Sequence, residues 1–193
     1  MARSTSRTSF PEPMTMLIQD HRKVQKMFKQ FEKLKDQDDE QSKRDLVEQT
    51  CAELKVHTQI EEEIFYPAAR EGLEEDGLVA EALVEHDSAK QLIAKLEGAN
   101  TPGEEYDALF TVLGEYVNHH IAEEQEEMFP KLRKADLDWD ALALRMQERK
   151  RQLQEELGLG QEEEEELQDE EPASVRRTGR EATGRPRRSA TSK

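Results

Sequence analysis

Two stretches of this chain repeat the same pattern, and that repeat limits the fold more than any other feature. The first reads His57-Thr-Gln-Ile-Glu61-Glu-Glu-Ile-Phe-Tyr-Pro67-Ala-Ala-Arg70, and the second His120-Ile-Ala-Glu-Glu124-Gln-Glu-Glu-Met-Phe-Pro130-Lys-Leu-Arg133. Histidine, glutamate, proline and arginine fall at identical offsets, and an aromatic residue precedes each proline. Each stretch also follows a segment with one histidine on its apolar stripe: His21 ahead of His57, and His86 ahead of His120, in the matching contexts Asp20-His21 and Glu85-His86. The chain therefore reads as two copies of a helix pair, each written H…HxxxE.

The spacing has a physical reason. Residues four apart lie above one another on a helix face, so His57 with Glu61, and His120 with Glu124, can each reach one point. Their neighbours on the stripe are apolar, so the stripe faces a core. Burying four imidazoles and two carboxylates there without partners is severely destabilising, and a metal cation satisfies several of them at once. Imidazole and carboxylate donors suit iron, manganese or zinc, while the lack of paired thiolates argues against an iron–sulfur cluster. The candidate metal ligands are His21, His57, Glu61, His86, His120 and Glu124. Two matching halves point to two ions, with the glutamates between them and the histidines at the ends. Any one histidine on an apolar stripe is more often a hydrogen-bonded core residue. Four of the chain's five histidines at repeat-related positions are not explained that way.

The rest of the chain supplies the scaffold. Apolar residues recur at helical period and strand alternation is absent. Helices are expected over about Met14–Lys35, Ser42–Glu71, Asp76–Glu97 and Glu104–Lys134. Gly72 ends the second, and Gly98 to Gly103 separates the third from the fourth. Short connections between four long amphipathic segments predict an all-α, antiparallel up-down-up-down four-helix bundle over residues 12–135. A further helix, about Trp139–Leu157 within 136–158, packs along the bundle or forms a dimer contact; the pattern leaves both open. Residues 1–11 read as a flexible arm. Residues 159–193, acidic and then arginine-rich, read as a disordered tail that solubilises the chain or meets a protein partner. Pro67 and Pro130 are expected to bend their helices, and the simpler account is a bend that wraps the helix end around the core.

The formal net charge of −16 excludes nucleic acid as a general partner of the core, because phosphate binding needs a cationic footprint. No apolar run approaches the ~20 residues needed to cross a bilayer. The single cysteine, Cys51, cannot form an internal disulfide and reads as a small core residue, which fits a reducing, cytoplasmic setting.

The pattern His21…His57-x3-Glu61…His86…His120-x3-Glu124, with its Phe-Tyr-Pro and Met-Phe-Pro endings, resembles the hemerythrin-like, or HHE cation-binding, domains over roughly residues 14–134. The resemblance implies a four-helix bundle around a non-haem di-iron centre. In it the four histidines are terminal ligands, and Glu61 and Glu124 bridge two irons together with an oxo or hydroxo group; manganese or zinc fits the expectation less well. Oxygen-carrying hemerythrins have a further histidine one turn after the ligand on the third helix, where this chain has Lys90. Their second bridge is an aspartate five residues after its histidine, where this chain has Glu124 at four. The sequence is thus similar to the H-HxxxE-H-HxxxE branch, with an open position at one metal for which Glu81, Glu85, Asp87 and His119 are candidate fillers. The resemblance implies binding or sensing of a small ligand such as oxygen or nitric oxide. A redox enzyme with catalase-like or other oxidant-handling activity is the alternative, and a non-catalytic metal-holding module the third.

Overall fold

The computed structural model describes residues 10–35, 37, 39–73, 77–99 and 103–159. The expected arm up to residue 9 and the acidic-then-basic tail from residue 160 lie outside the described residues. Every regular element among the described residues is a helix: α1 (Glu12–Leu34), α2 (Glu40–Ile60), α3 (Tyr66–Gly72), α4 (Gly77–Gly98), α5 (Glu104–Glu123), α6 (Phe129–Leu132) and α7 (Trp139–Leu157). Local chemistry starts and stops them. Asp39 caps α2 by accepting from the Ser42 amide at 3.1 Å, and Asp138 caps α7 by accepting from Ala141 at 3.0 Å. Gly158 closes α7 in the left-handed conformation, φ 74°, which costs glycine least.

α2 and α3 form one rod, as do α5 and α6, so the bundle has four long members. α1 pairs with α2, α4 with α5, α1 also meets α5, and α2 meets α4. This is the expected antiparallel ring. α7 packs along the α1–α2 face, burying Leu142, Ala143, Met146 and Leu153, which decides its placement against the bundle of its own chain.

Two apolar cores result. One gathers Met14, Leu17, Ile60, Phe65, Phe129, Leu132 and Met146, and the other Val24, Phe28, Phe31, Leu54, Phe110, Leu113 and Val117. His21 falls between Leu17 and Val24, and His57 between Leu54 and Ile60. The predicted ligands therefore form a polar layer sandwiched between the cores. The thiol of Cys51 sits in the second core, and burial pushes it up to about 12. That removes it as a nucleophile.

Each ligand-bearing rod changes register where its ligands end. α2 joins α3 through a π-helical turn, Glu61–Phe65, and α5 joins α6 through another, Glu124–Met128. The amide of Tyr66 reaches back to the carbonyl of Glu61, and that of Phe129 to the carbonyl of Glu124. Pro67 and Pro130 follow at once. Proline has no N–H to offer and its ring presses on the carbonyl four residues back, and widening the turn relieves both problems. Each proline thus lies directly behind the widened, ligand-bearing turn of its rod.

Candidate metal centre

The six predicted ligands converge in the polar layer. His21, His57, His86 and His120 are at most 6% exposed, Glu61 is 0% and Glu124 1% exposed. Their donor atoms fall into two groups: His21, His57, Glu61 and Glu124, and Glu61 with His86 and His120. Nε2 of His21 lies 3.1 Å from Nε2 of His57, and Nε2 of His86 lies 3.2 Å from that of His120. Oε2 of Glu61 reaches across, 3.2 Å from His57 and 3.3 Å from His86. Oε2 of Glu124 does the same, 3.2 Å from His21 and 3.7 Å from His120. Such separations match donor atoms around a shared cation, which sit about 3–3.5 Å apart when bonds are about 2.1 Å.

The far side of each ring shows why a cation fits. His86 Nδ1 faces Glu62 at 2.8 Å and His120 Nδ1 faces Glu85 at 2.8 Å. Each carboxylate draws the ring proton to Nδ1, leaving the Nε2 lone pair aimed inward. Two lone pairs 3.2 Å apart repel, and a shared proton or a metal cation between them relieves the repulsion. Glu61 Oε1, Glu124 Oε2 and His57 Nδ1 are also buried without a hydrogen-bond partner. Natural proteins rarely leave such groups unpaired, and coordination would satisfy the carboxylate atoms directly.

Electrostatics agrees. Burial pushes the Glu61 carboxyl well above its usual range, and Glu124 beside it adds to the rise. Burial works against Glu124 too, but His21, 3.2 Å away, and the surrounding histidines hold it down to about 2. Two carboxylates this close cannot both stay charged without a cation. Burial also lowers His21, and it brings His86 down to about 4 with help from His120.

One residue of the centre is missing from the ligands predicted by sequence. The Tyr66 hydroxyl donates to Glu124 Oε1 at 3.0 Å and lies 3.3 Å from His86 Nε2 and 3.4 Å from Glu61 Oε2. Its signal is a mismatch in the repeat, because the position equivalent to Tyr66 is Phe129. The fillers named from the sequence sit elsewhere. Glu81 and Asp87 are exposed, and Glu85 backs His120 from outside. His119 is 69% exposed and pairs with Glu123 at 3.1 Å. Lys90, in place of the carriers' fifth histidine, points away and holds Glu62 at 2.6 Å.

A bundle of antiparallel helices with a buried, pseudo-symmetric His/Glu layer defines a cation-binding helical domain. The family model described as the Hemerythrin HHE cation binding domain matches residues 12–132, and the chain belongs to that family. No curated protein and no solved structure is significantly similar to the chain. α7 lies beyond the matched residues, and no described helix is long and apolar enough to cross a membrane.

Proposed function

We propose that the centre holds two iron ions and binds or senses a small ligand such as oxygen or nitric oxide. His21 and His57 would hold one ion, and His86 and His120 the other, with Glu61 and Glu124 supplying carboxylates between the two pairs and the Tyr66 hydroxyl beside His86. The facing Nε2 lone pairs of His86 and His120, with their protons drawn outward by Glu62 and Glu85, carry this reading. When bound, iron would supply one-electron redox chemistry and affinity for a small exogenous ligand. The residues do the rest. The carboxylates offset the ionic charge, the outer hydrogen bonds aim the rings, and the two apolar cores exclude bulk water. A cavity of about 20 Å³ adjoins the histidines and is lined by Val24, Leu54, Ala89, Val117 and Ile121. It has room for roughly one water-sized molecule, which favours a small exogenous ligand over a bulky substrate.

Iron-loaded protein is expected to hold two equivalents and to change its absorption spectrum when oxygen, nitric oxide or azide is added. A spectrum indifferent to all three ligands would sink the reading. The hydroxyl of Tyr66, a proton donor beside both glutamates, favours a second reading in which the centre decomposes peroxide. Oxygen release from hydrogen peroxide at equal rates in wild type and Glu61→Ala would remove that one.

A further inference from the structure

The repeat that builds the inner ligands also builds the groups behind them, and there the two halves differ. The residue after Glu61 is Glu62, and the residue after Glu124 is Gln125. Each crosses to the other half and backs a histidine: Glu62 meets His86 Nδ1 at 2.8 Å, and Gln125 meets His21 Nδ1 at 2.9 Å. The residues before the leading histidines form the second pair. Glu85 meets His120 Nδ1 at 2.8 Å, while Asp20 stands 3.7 Å from His57 Nδ1. Asp20 is drawn the other way, with Lys150 of α7 only 2.5 Å from its Oδ1. His57 Nδ1 is accordingly left without a hydrogen bond.

Both histidines of one position, His86 and His120, are therefore backed by a carboxylate at hydrogen-bond distance. Neither histidine of the other position is. His21 has a neutral amide, which presents its oxygen to a ring N–H once turned end for end, and His57 has a carboxylate held out of reach. A carboxylate behind a histidine raises its basicity as a ligand, and losing such a contact typically costs 10–100-fold in metal affinity. The Tyr66 hydroxyl, 3.3 Å from His86, lies on the same side.

The geometry points to two metal positions built unequal by the residues behind them: the His21/His57 position holds its ion more weakly and exchanges it first, and Gln125 sets the difference. This rests on the two-ion reading above. It adds a division of labour, with one ion retained and one exchangeable. Swapping the two backing residues leaves one carboxylate-backed histidine at each position, which levels the asymmetry without touching any inner ligand.

The test uses the full chain loaded with two equivalents of Co²⁺, whose absorption reports each ion, followed by excess chelator. Wild type is expected to release cobalt in two phases. Gln125→Glu is expected to slow the fast phase by about 10-fold or more, bringing the phases together, while leaving the slow phase unchanged. The mirror variant, Glu62→Gln, is expected to accelerate the slow phase alone. Release of both ions in one phase from wild type, or a fast phase indifferent to Gln125→Glu, overturns the inequality while leaving the two-ion reading standing. Binding of fewer than two equivalents by wild type overturns that reading and the inference with it.

Discussion

His86 shows how far burial alone sets the chemistry of a single ligand. An ordinary imidazole titrates near 6.5, and in the folded, metal-free chain desolvation and the neighbouring His120 bring this one down to about 4. Between those values the unfolded chain takes up a proton that the folded chain refuses, so stability falls as pH falls. From pH 7 to 4.5 the cost is roughly 2 kcal/mol, since each tenfold change in proton affinity is worth about 1.4 kcal/mol. Urea unfolding of metal-free wild type and His86→Gln at the two pH values measures it, with wild type expected to show the steeper loss. Equal losses would mean that His86 is not held neutral. The six inner residues were legible in the sequence because histidine is scarce here and its spacing repeats. Glu62 and Gln125 were not, because the chain carries 44 acidic residues and no single glutamate stands out among them. Tyr66 sat in plain view as the position where one copy of the repeat has a hydroxyl and the other has Phe129.

Among the elements, α7 gave the least away from the sequence. Its apolar stripe fixed that it would pack, and its bounds, but a stripe does not say against what. What settles it is Lys150, which reaches Asp20 of α1, together with Arg149, which donates to Glu63 at 2.7 Å. Lys150 is one-fifth exposed and Asp20 about one-tenth, so the pair is only partly screened by water. Lys150→Met leaves a nearly buried carboxylate with only His57, 3.7 Å away, beside it and is expected to cost about 1–3 kcal/mol in the metal-free protein. Asp20→Asn/Lys150→Met together should recover most of that, giving a coupling energy of about 1 kcal/mol or more. Strictly additive losses would show that α7 is not tied to the centre through this pair. α1 and α5 meet just as closely elsewhere. A Cβ on Gly114 would lie 2.9 Å from Phe28 Cδ1, inside contact distance. Gly114→Ala is therefore expected to destabilise the fold by about 1–3 kcal/mol through overpacking, against its favourable effect on helix propensity. A thermal midpoint equal to or above wild type would mean that Phe28 gives way at little cost.

For the molecule as a whole, the metal-free fold tolerates a layer of polar groups it cannot satisfy itself, between two apolar cores that could otherwise be one. Burial holds the Glu61 carboxyl protonated well above its usual range, so glutamine, of the same shape as the neutral acid, costs the empty bundle little. Glu61→Gln is therefore expected to leave the thermal midpoint of metal-free protein unchanged or slightly raised. The loaded protein should behave oppositely. A cation that binds only the folded chain stabilises it by about 2.7 kcal/mol when its free concentration is 100 times its dissociation constant. That corresponds to a rise of roughly 5–10 °C for a domain of this size, and Glu61→Gln removes the carboxylate common to both ligand groups and should abolish most of it. Calorimetry of both proteins, with and without divalent metal, separates the two roles of the one side chain. If the metal-induced rise persists in full in Glu61→Gln, the ions that stabilise this chain bind somewhere other than the His/Glu layer. If the metal-free variant falls well below wild type, the layer is a self-sufficient polar network whose carboxylate was already satisfied.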